Sequence, residues 1–202
     1  MRTRTEIINK LFSVYGFKSY LEVGVQNPES NFNKINAILK ESVDPNLNFK
    51  YSYNITSDDF FDNYVGDKKY DVIFIDGLHT EEQSYKDAKN AIRHLNNGGF
   101  IVMHDCNPPN EVYTNEQLYC GTVFKTIIKL KHELIDWSCF VVDEDYGCGI
   151  ITKRNVLENK QLFYEFFDFS WDLFEKYRSG LLQLIPFDEY CNIIVKNNKE
   201  IK

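Results

Sequence analysis

Four residues dominate a chemical reading of this chain: Asp76, His79, His104 and Asp105. Asp76 and His79 close the segment Tyr70-Asp-Val-Ile-Phe-Ile-Asp-Gly-Leu-His79, and His104-Asp105 closes the run Phe100-Ile-Val-Met103. Each pair follows a short apolar stretch of the kind that forms a buried parallel strand. In an open α/β sheet the carboxyl ends of the strands are where ligands bind. An imidazole titrates near neutrality and can take a proton from an acceptor, which makes His79 and His104 the base candidates. The carboxylates of Asp76 and Asp105 stand twenty-nine positions apart but at the tips of neighbouring strands. They can share a hard divalent cation such as Mg²⁺, and the histidines admit a transition metal as well. The catalytic candidates are therefore His79, His104 and Asp105, and the metal candidates Asp76 and Asp105. Structural uses compete with these roles: His104-Asp105 as a pair that orients a loop, Asp76 as a turn or helix cap.

A second constellation lies upstream, in Leu21-Glu-Val-Gly-Val-Gln-Asn-Pro28. A glycine just after a strand lets a ligand approach the backbone. The spacing GxGxxG is missing, because Gly24 has no second or third partner; that counts against a pyrophosphate cradle and so against NAD or FAD. Asp44 follows Gly24 by twenty positions, where an acid at the end of the second strand accepts hydrogen bonds from ribose hydroxyls. Gly24 and Asp44 together suit an adenosyl ligand that carries no diphosphate.

The elements that must position these groups are legible as periodic patterns. Ile7, Ile8, Leu11, Phe12 and Tyr15 mark one face of a helix over 5–15, stopped by Gly16. Strands are expected at 19–25, 41–44, 49–55, 70–76 and 99–104, with helices at 31–39 and around Tyr85, Ala88, Ile92 and Leu95. Strands alternating with helices imply right-handed crossovers and a parallel sheet. Beyond residue 105 the pattern changes. A long polar stretch, 106–121, has the character of a lid loop. A helix over 123–130 and two late strands at 139–142 and 149–151 follow, the strands forming a hairpin on the sheet edge. Phe163, Phe166, Phe167, Trp171, Phe174 and Tyr177 fall at helical spacing within a C-terminal helical segment, 161–196, as a packing face or a subunit contact. His94 lies off its helix's apolar stripe, and His132 follows a helix whose C-terminal dipole it can meet.

With 202 residues the chain suffices for one α/β domain. A net charge of −7 argues against a protein that grips nucleic acid through a general basic surface. No stretch has the length and apolarity of a membrane span, and Met1-Arg-Thr-Arg-Thr-Glu6 has no apolar run behind it as a secretory signal would. The five scattered cysteines lack CxxC spacing and read as reduced thiols of a cytoplasmic protein. Cys148 has no identifiable base partner and is given no nucleophilic role.

Taken in order, Leu21–Val25, Ser42–Pro45, Thr56–Phe61, Asp71–His79 and Gly98–Asp105 resemble a class I S-adenosylmethionine-dependent methyltransferase, of a small subgroup with an IDGxH fourth strand and a GGxxVxHD fifth strand. The resemblance implies an α/β fold: a Rossmann-like, doubly wound, seven-stranded and mostly parallel sheet with a late antiparallel strand, plus C-terminal helices, the whole of 1–202 forming one domain. It places Glu22 and Gly24 under the methionine part of S-adenosylmethionine, Asp44 on the ribose, Ser57 and Asp58 at the adenine, and Asp76 and Gly77 on the methyl-transfer face. It implies methyl transfer to a small-molecule acceptor, a hydroxyl of a sugar or secondary metabolite. No nucleic acid or membrane partner is expected, and the aromatic C-terminal segment admits a homodimer as well as burial within the monomer. Related metal-assisted enzymes carry an oxygen ligand directly after the second aspartate; here that position is Cys106, a poor Mg²⁺ ligand, with Asn107 one step on. Two other readings use the same residues: a metal-dependent hydrolase on a similar sheet, and a module that keeps the fold without turnover.

Overall fold

The structure is a computed structural model that describes residues 2–160 and 170–200. In chain order it comprises α1 (Arg4–Tyr15), β1 (Ser19–Val23), β2 (Leu39–Val43), α2 (Ser57–Asp59), β3 (Tyr70–Ile75), α3 (Glu81–Arg93), β4 (Leu95–Met103), α4 (Val123–Glu133), β5 (Ser138–Val142), β6 (Cys148–Thr152), α5 (Trp171–Leu182), β7 (Leu184–Ile185) and α6 (Phe187–Glu200). One seven-stranded sheet runs in the order β2-β1-β3-β4-β6-β5-β7. β6 is antiparallel to both of its neighbours, β4 and β5. The other described pairings are parallel.

The apolar strands owe their burial on both faces to alternation of period two. Val72, Phe74, Phe100, Val102, Phe140 and Val142 face one layer, built on Ile7, Ile8, Leu11 and Phe12 of α1 and Tyr190 and Ile194 of α6. Ile73, Ile75, Ile101, Met103 and Val141 face the other, built on Ala88 and Ala91 of α3, Phe124, Ile127 and Leu130 of α4, and Phe174 of α5. Full burial of each such aliphatic or aromatic side chain contributes roughly 1.5–3 kcal/mol, so the strand tips rest on a rigid base. α1 begins where the Glu6 side chain accepts from the Thr3 N–H at 3.0 Å. It ends at Gly16, whose φ of 68° needs a residue without Cβ.

Three expectations are corrected. The strand expected at 49–55 is reduced to a single bridge, Val43 to Tyr53. Local side-chain bonds divert its backbone: Asp44 Oδ1 accepts from Asn46 N, Asn46 Oδ1 from Asn48 N, and Asn54 Nδ2 donates to the carbonyls of Asn46 and Phe49. The helix expected over 31–39 is a three-residue turn at Phe32–Lys34. Just beyond it the N–H groups of Ile38 and Leu39 bond to the Lys18 carbonyl, which starts β2 early. The late hairpin is not at the edge: β6 lies between β4 and β5, and β7 pairs with β5 outside it. Among the aromatic residues expected at 161–177, Phe163, Phe166 and Phe167 lie outside the described residues. Phe174 packs inward, its ring 4.4 Å from that of Phe124 and 5.3 Å from that of Trp171. His94 caps α3, with Nδ1 2.9 Å from the Lys68 carbonyl oxygen.

Candidate active site

A cavity of about 880 Å³ opens over the carboxyl ends of β1, β2, β3 and β4. It is lined by Glu22, Gly24, Asp44, Ser57, Asp58, Asp76, Gly77, His79, His104 and Asp105, among others. Every site residue expected from the sequence therefore reaches one space. β2 lies on one side of β1 and β3 on the other, so the cavity sits where the winding of the sheet reverses, the usual crevice of an open α/β fold.

The β1 end is built by close approach. Gly24 has φ +81°, and a Cβ there would overlap the Asp76 carbonyl and Gly77 Cα; only glycine lets the ends of β1 and β3 come this near. Asp44 holds the loop that follows: its Oδ2 accepts from Val25 N at 2.8 Å and Gln26 N at 2.7 Å, fixing Gln26 at φ 52°. Its Oδ1 accepts from Asn46 N at 2.8 Å, which leaves one lone pair for a further donor. Glu22 is buried, and its Oε2 accepts from Tyr20 Oη at 2.5 Å and Asn31 Nδ2 at 2.9 Å. Desolvation pushes the Glu22 carboxyl up to about 8 against those two donors. At the far rim Gln83 of α3 donates to Ser57 Oγ, Asp58 Oδ1 and Asp87 Oδ1 at 3.0–3.2 Å. Burial pushes the Asp87 carboxyl up to about 6.

The other half of the cavity holds charge. His79 Nε2 lies 3.5 Å from Asp76 Oδ1 and 3.3 Å from Asp105 Oδ2. Its Nδ1 lies 2.5 Å from the Tyr119 carbonyl oxygen, an acceptor that requires Nδ1–H. The neutral ring thus aims its Nε2 lone pair at two carboxylates, an arrangement that calls for a positive charge at that point. Accordingly the hydrogen bond to Asp76, assisted by Asp105 and Tyr119 and opposed by burial, raises the His79 pKa above its ordinary value. His104 is buried beneath the same acids, with Nδ1 3.2 Å from Asp105 Oδ2 and 3.4 Å from Asp76 Oδ1. Burial opposes a charge on His104, but Asp76, Asp105 and Asp145 outweigh it and raise its pKa well above the usual value. Arg4 Nη1 stands 2.7 Å from His104 Nε2. The same Nη1 is 3.0 Å from His104 Nδ1, so the guanidinium borders both ring nitrogens while the acids facing the ring favour its protonated form. Desolvation works against the Asp76 carboxylate, yet His104, His79 and Arg4 hold it well below the ordinary range.

One carboxylate oxygen each from Asp76 and Asp105 and one ring nitrogen of His79 lie within 4.8 Å of one another. This donor set, two carboxylate oxygens and an imidazole nitrogen oriented from behind by a carbonyl, fits a divalent cation.

Several contributors were not singled out from the sequence. Arg4 projects from the first turn of α1 to Asp76 Oδ2 at 3.4 Å, and its backbone N–H donates to Asp145 Oδ2 at 2.9 Å. Asp145 and Tyr146, in the β5–β6 turn, both adopt positive φ. Tyr146 joins Tyr113 and Tyr119 in a stack at the cavity mouth. No local pattern marks Arg4, whose partners are remote in sequence. The positive φ of Asp145 and Tyr146 was hinted at only by Gly147 beside them.

An open sheet with one antiparallel strand near its end, helices on both faces and a crevice over the tips of its first strands defines the class I methyltransferase fold. Residues 9–106 match the family model of a methyltransferase domain, and the fold is that of the class I S-adenosylmethionine-dependent methyltransferases. Solved structures similar to it include the O-methyltransferase TomG from Streptomyces achromogenes in complex with S-adenosylmethionine, 12% identical, with a TM-score of 0.53 over 73% of this chain and 78% of that one. The cofactor-bound Rv0187 from MTB is 13% identical, with a TM-score of 0.54 over 76% and 82%. A protein provisionally described as a caffeoyl-CoA O-methyltransferase, from Staphylococcus aureus, is 17% identical, with a TM-score of 0.50 over 75% and 84%. At these identities the likeness is one of fold. No curated protein matches the sequence. Among the described residues no helix is long and apolar enough to cross a membrane.

Proposed function

We propose that the protein transfers the methyl group of S-adenosylmethionine to a hydroxyl of a small molecule. The observation that carries this reading is the single cavity that joins the Gly24–Asp44 rim to the His79–Asp105 centre. One end offers what an adenosyl group needs: the free lone pair of Asp44 for a ribose hydroxyl, and Ser57 and Asp58 for the adenine edge. Glu22 lies beneath the position of the methionine ammonium, and Asp76 and Gly77 line the face across which the methyl group moves. Loop 106–121 closes over the acceptor as a lid and excludes water.

Methyl transfer is an in-line displacement: the oxygen–carbon bond forms as the carbon–sulfur bond breaks, and the sulfonium becomes a neutral thioether. The protein aligns the two reactants and removes the hydroxyl proton. His79 Nε2 receives that proton, because Nδ1–H is committed to Tyr119 and the neighbouring carboxylates stabilise the imidazolium formed. His104, held by Arg4, donates to Asp105 and Asp76 and so acts as a positioning residue for both acids. Asp76, His79 and Asp105 would alternatively hold a divalent cation; His79 Nε2 would then be a ligand instead of the base, and the cation would stabilise the acceptor oxyanion.

The test is calorimetric titration of the protein with S-adenosylhomocysteine, beside the Asp44→Ala variant. Saturable binding that the variant loses supports the adenosyl pocket. A folded protein that binds none of it refutes the reading.

A further inference from the structure

We infer that the acceptor presents a flat aromatic ring bearing the hydroxyl, bound against a wall formed by Tyr113, Tyr119 and Tyr146. This deepens the proposed methyl transfer and rests on it for the position of the reacting group.

The three rings form a ladder. Tyr113 and Tyr119 have centroids 4.5 Å apart with 31° between planes, and Tyr113 and Tyr146 have centroids 5.7 Å apart with 24° between planes. All three line the cavity next to His79 and His104, and the Tyr146 ring meets the His104 ring edge-on at 6.4 Å. Stacked rings of a core are buried, whereas Tyr119 and Tyr146 remain 40% and 45% exposed. The rim continues in Leu78 and Leu118, which are 61% and 71% exposed and also line the cavity. Exposed apolar side chains gathered at the mouth of one cavity, rather than scattered, mark a surface that a ligand covers.

The backbone supports the same reading. Tyr146 sits at φ 60°, in the left-handed region that a bulky residue seldom adopts. Strain of this kind persists where surrounding structure holds it, and it clusters at ligand clamps. Here Asn107 N donates to the Tyr146 carbonyl at 2.7 Å and Asp145 is held by Arg4, which fixes the ring over the cavity.

The wall also discriminates. A sugar carries a hydroxyl on most of its carbons and needs several side-chain partners beside any aromatic platform. At this mouth the side chains are three tyrosines and two leucines, and the charged groups lie deeper, in contact with one another. A planar ring with one hydroxyl directed inward satisfies both layers: its faces meet tyrosine, and its oxygen meets the His79–Asp105 centre. Offset stacking of this kind is a favourable aromatic geometry.

The test uses the full chain saturated with S-adenosylhomocysteine and two probes, 4-methylphenol and methyl β-D-glucopyranoside, followed by saturation-transfer NMR. The variants are Tyr146→Leu, which keeps bulk but loses the ring, and Tyr146→Phe, which keeps the ring. The expected result is saturable binding of the phenol, weakened about tenfold in Tyr146→Leu and retained in Tyr146→Phe, with none of the sugar. S-adenosylhomocysteine affinity is measured in each protein as a separate control. It should persist, because Asp44 at the end of β2 and Tyr146 beside β6 are four strand spacings apart across the sheet, roughly 19 Å. Cofactor binding intact but phenol unbound, or sugar bound in preference, overturns the inference and leaves the methyltransferase reading standing. Loss of cofactor binding in the unaltered protein refutes that reading instead.

Discussion

Replacing Glu22 by glutamine tests the electrostatics of the cavity floor in one step. In the fold, burial pushes this carboxyl up to about 8 from 4.5. In the unfolded chain it titrates near its ordinary value. A carboxyl raised by folding binds more protons in the native state than in the unfolded state between those two values. Its contribution to stability is therefore present in full below about pH 4.5 and is lost as pH rises toward 8. At pH 7 the native group is still mostly protonated while the unfolded one is ionised, a penalty on the order of 3 kcal/mol, growing to about 4 kcal/mol at pH 8. Glu22 is only 1% exposed, so solvent screens little of this. Glutamine carries no such penalty. Both bonds that the carboxyl accepts, from Tyr20 and Asn31, go to Oε2, so an amide oxygen can take them over. Urea unfolding at pH 5, 7 and 8 should show the two proteins within about 1 kcal/mol at pH 5 and Glu22→Gln more stable by about 4 kcal/mol at pH 8. Other titrating groups are common to both proteins and cancel. Parallel stability profiles would refute the reasoning, because Glu22 would then ionise in the fold as it does in water.

Two further outcomes follow from the site. Gly24→Ala combines positive φ with overlap against the Asp76 carbonyl and should cost at least about 3 kcal/mol in urea unfolding and abolish S-adenosylhomocysteine binding; near-wild-type values would show that β1 and β3 do not approach as described. Mn²⁺ titration followed by electron paramagnetic resonance should give saturable binding that weakens at least about tenfold in His79→Ala. Equal affinity in both proteins would remove His79 from the donor set.

Much of this architecture is written locally. The runs Val72–Ile75 and Phe100–Met103 are apolar on both faces, as a strand covered on both sides requires, and their terminal acids fall at the crevice as the pattern implies. Gly24 and Asp44 both line the cavity, at the strand ends that their spacing implies. What escaped depends on competition or distance. Phe49–Ile55 has the composition of a strand, but Asn46, Asn48 and Asn54 offer its backbone nearer partners. Asp44 reads as a ribose acceptor, yet its carboxylate also holds the β1 loop, a bond invisible without the turn at Gln26. Tyr146 looks like a turn residue until the left-handed backbone aims it at the cavity. Arg4 reads as an unremarkable first-turn cation, since the groups it meets lie 72 to 141 positions away.

That distance sets an order of assembly. Arg4 is translated 141 residues before Asp145, which takes its backbone N–H. A nascent chain that has reached Asp105 already carries both strand-tip acids and His104, but not the turn that secures the arginine among them. The arginine's place beneath the cavity is thus secured by a segment translated long after it, and after both of the acids it stands among.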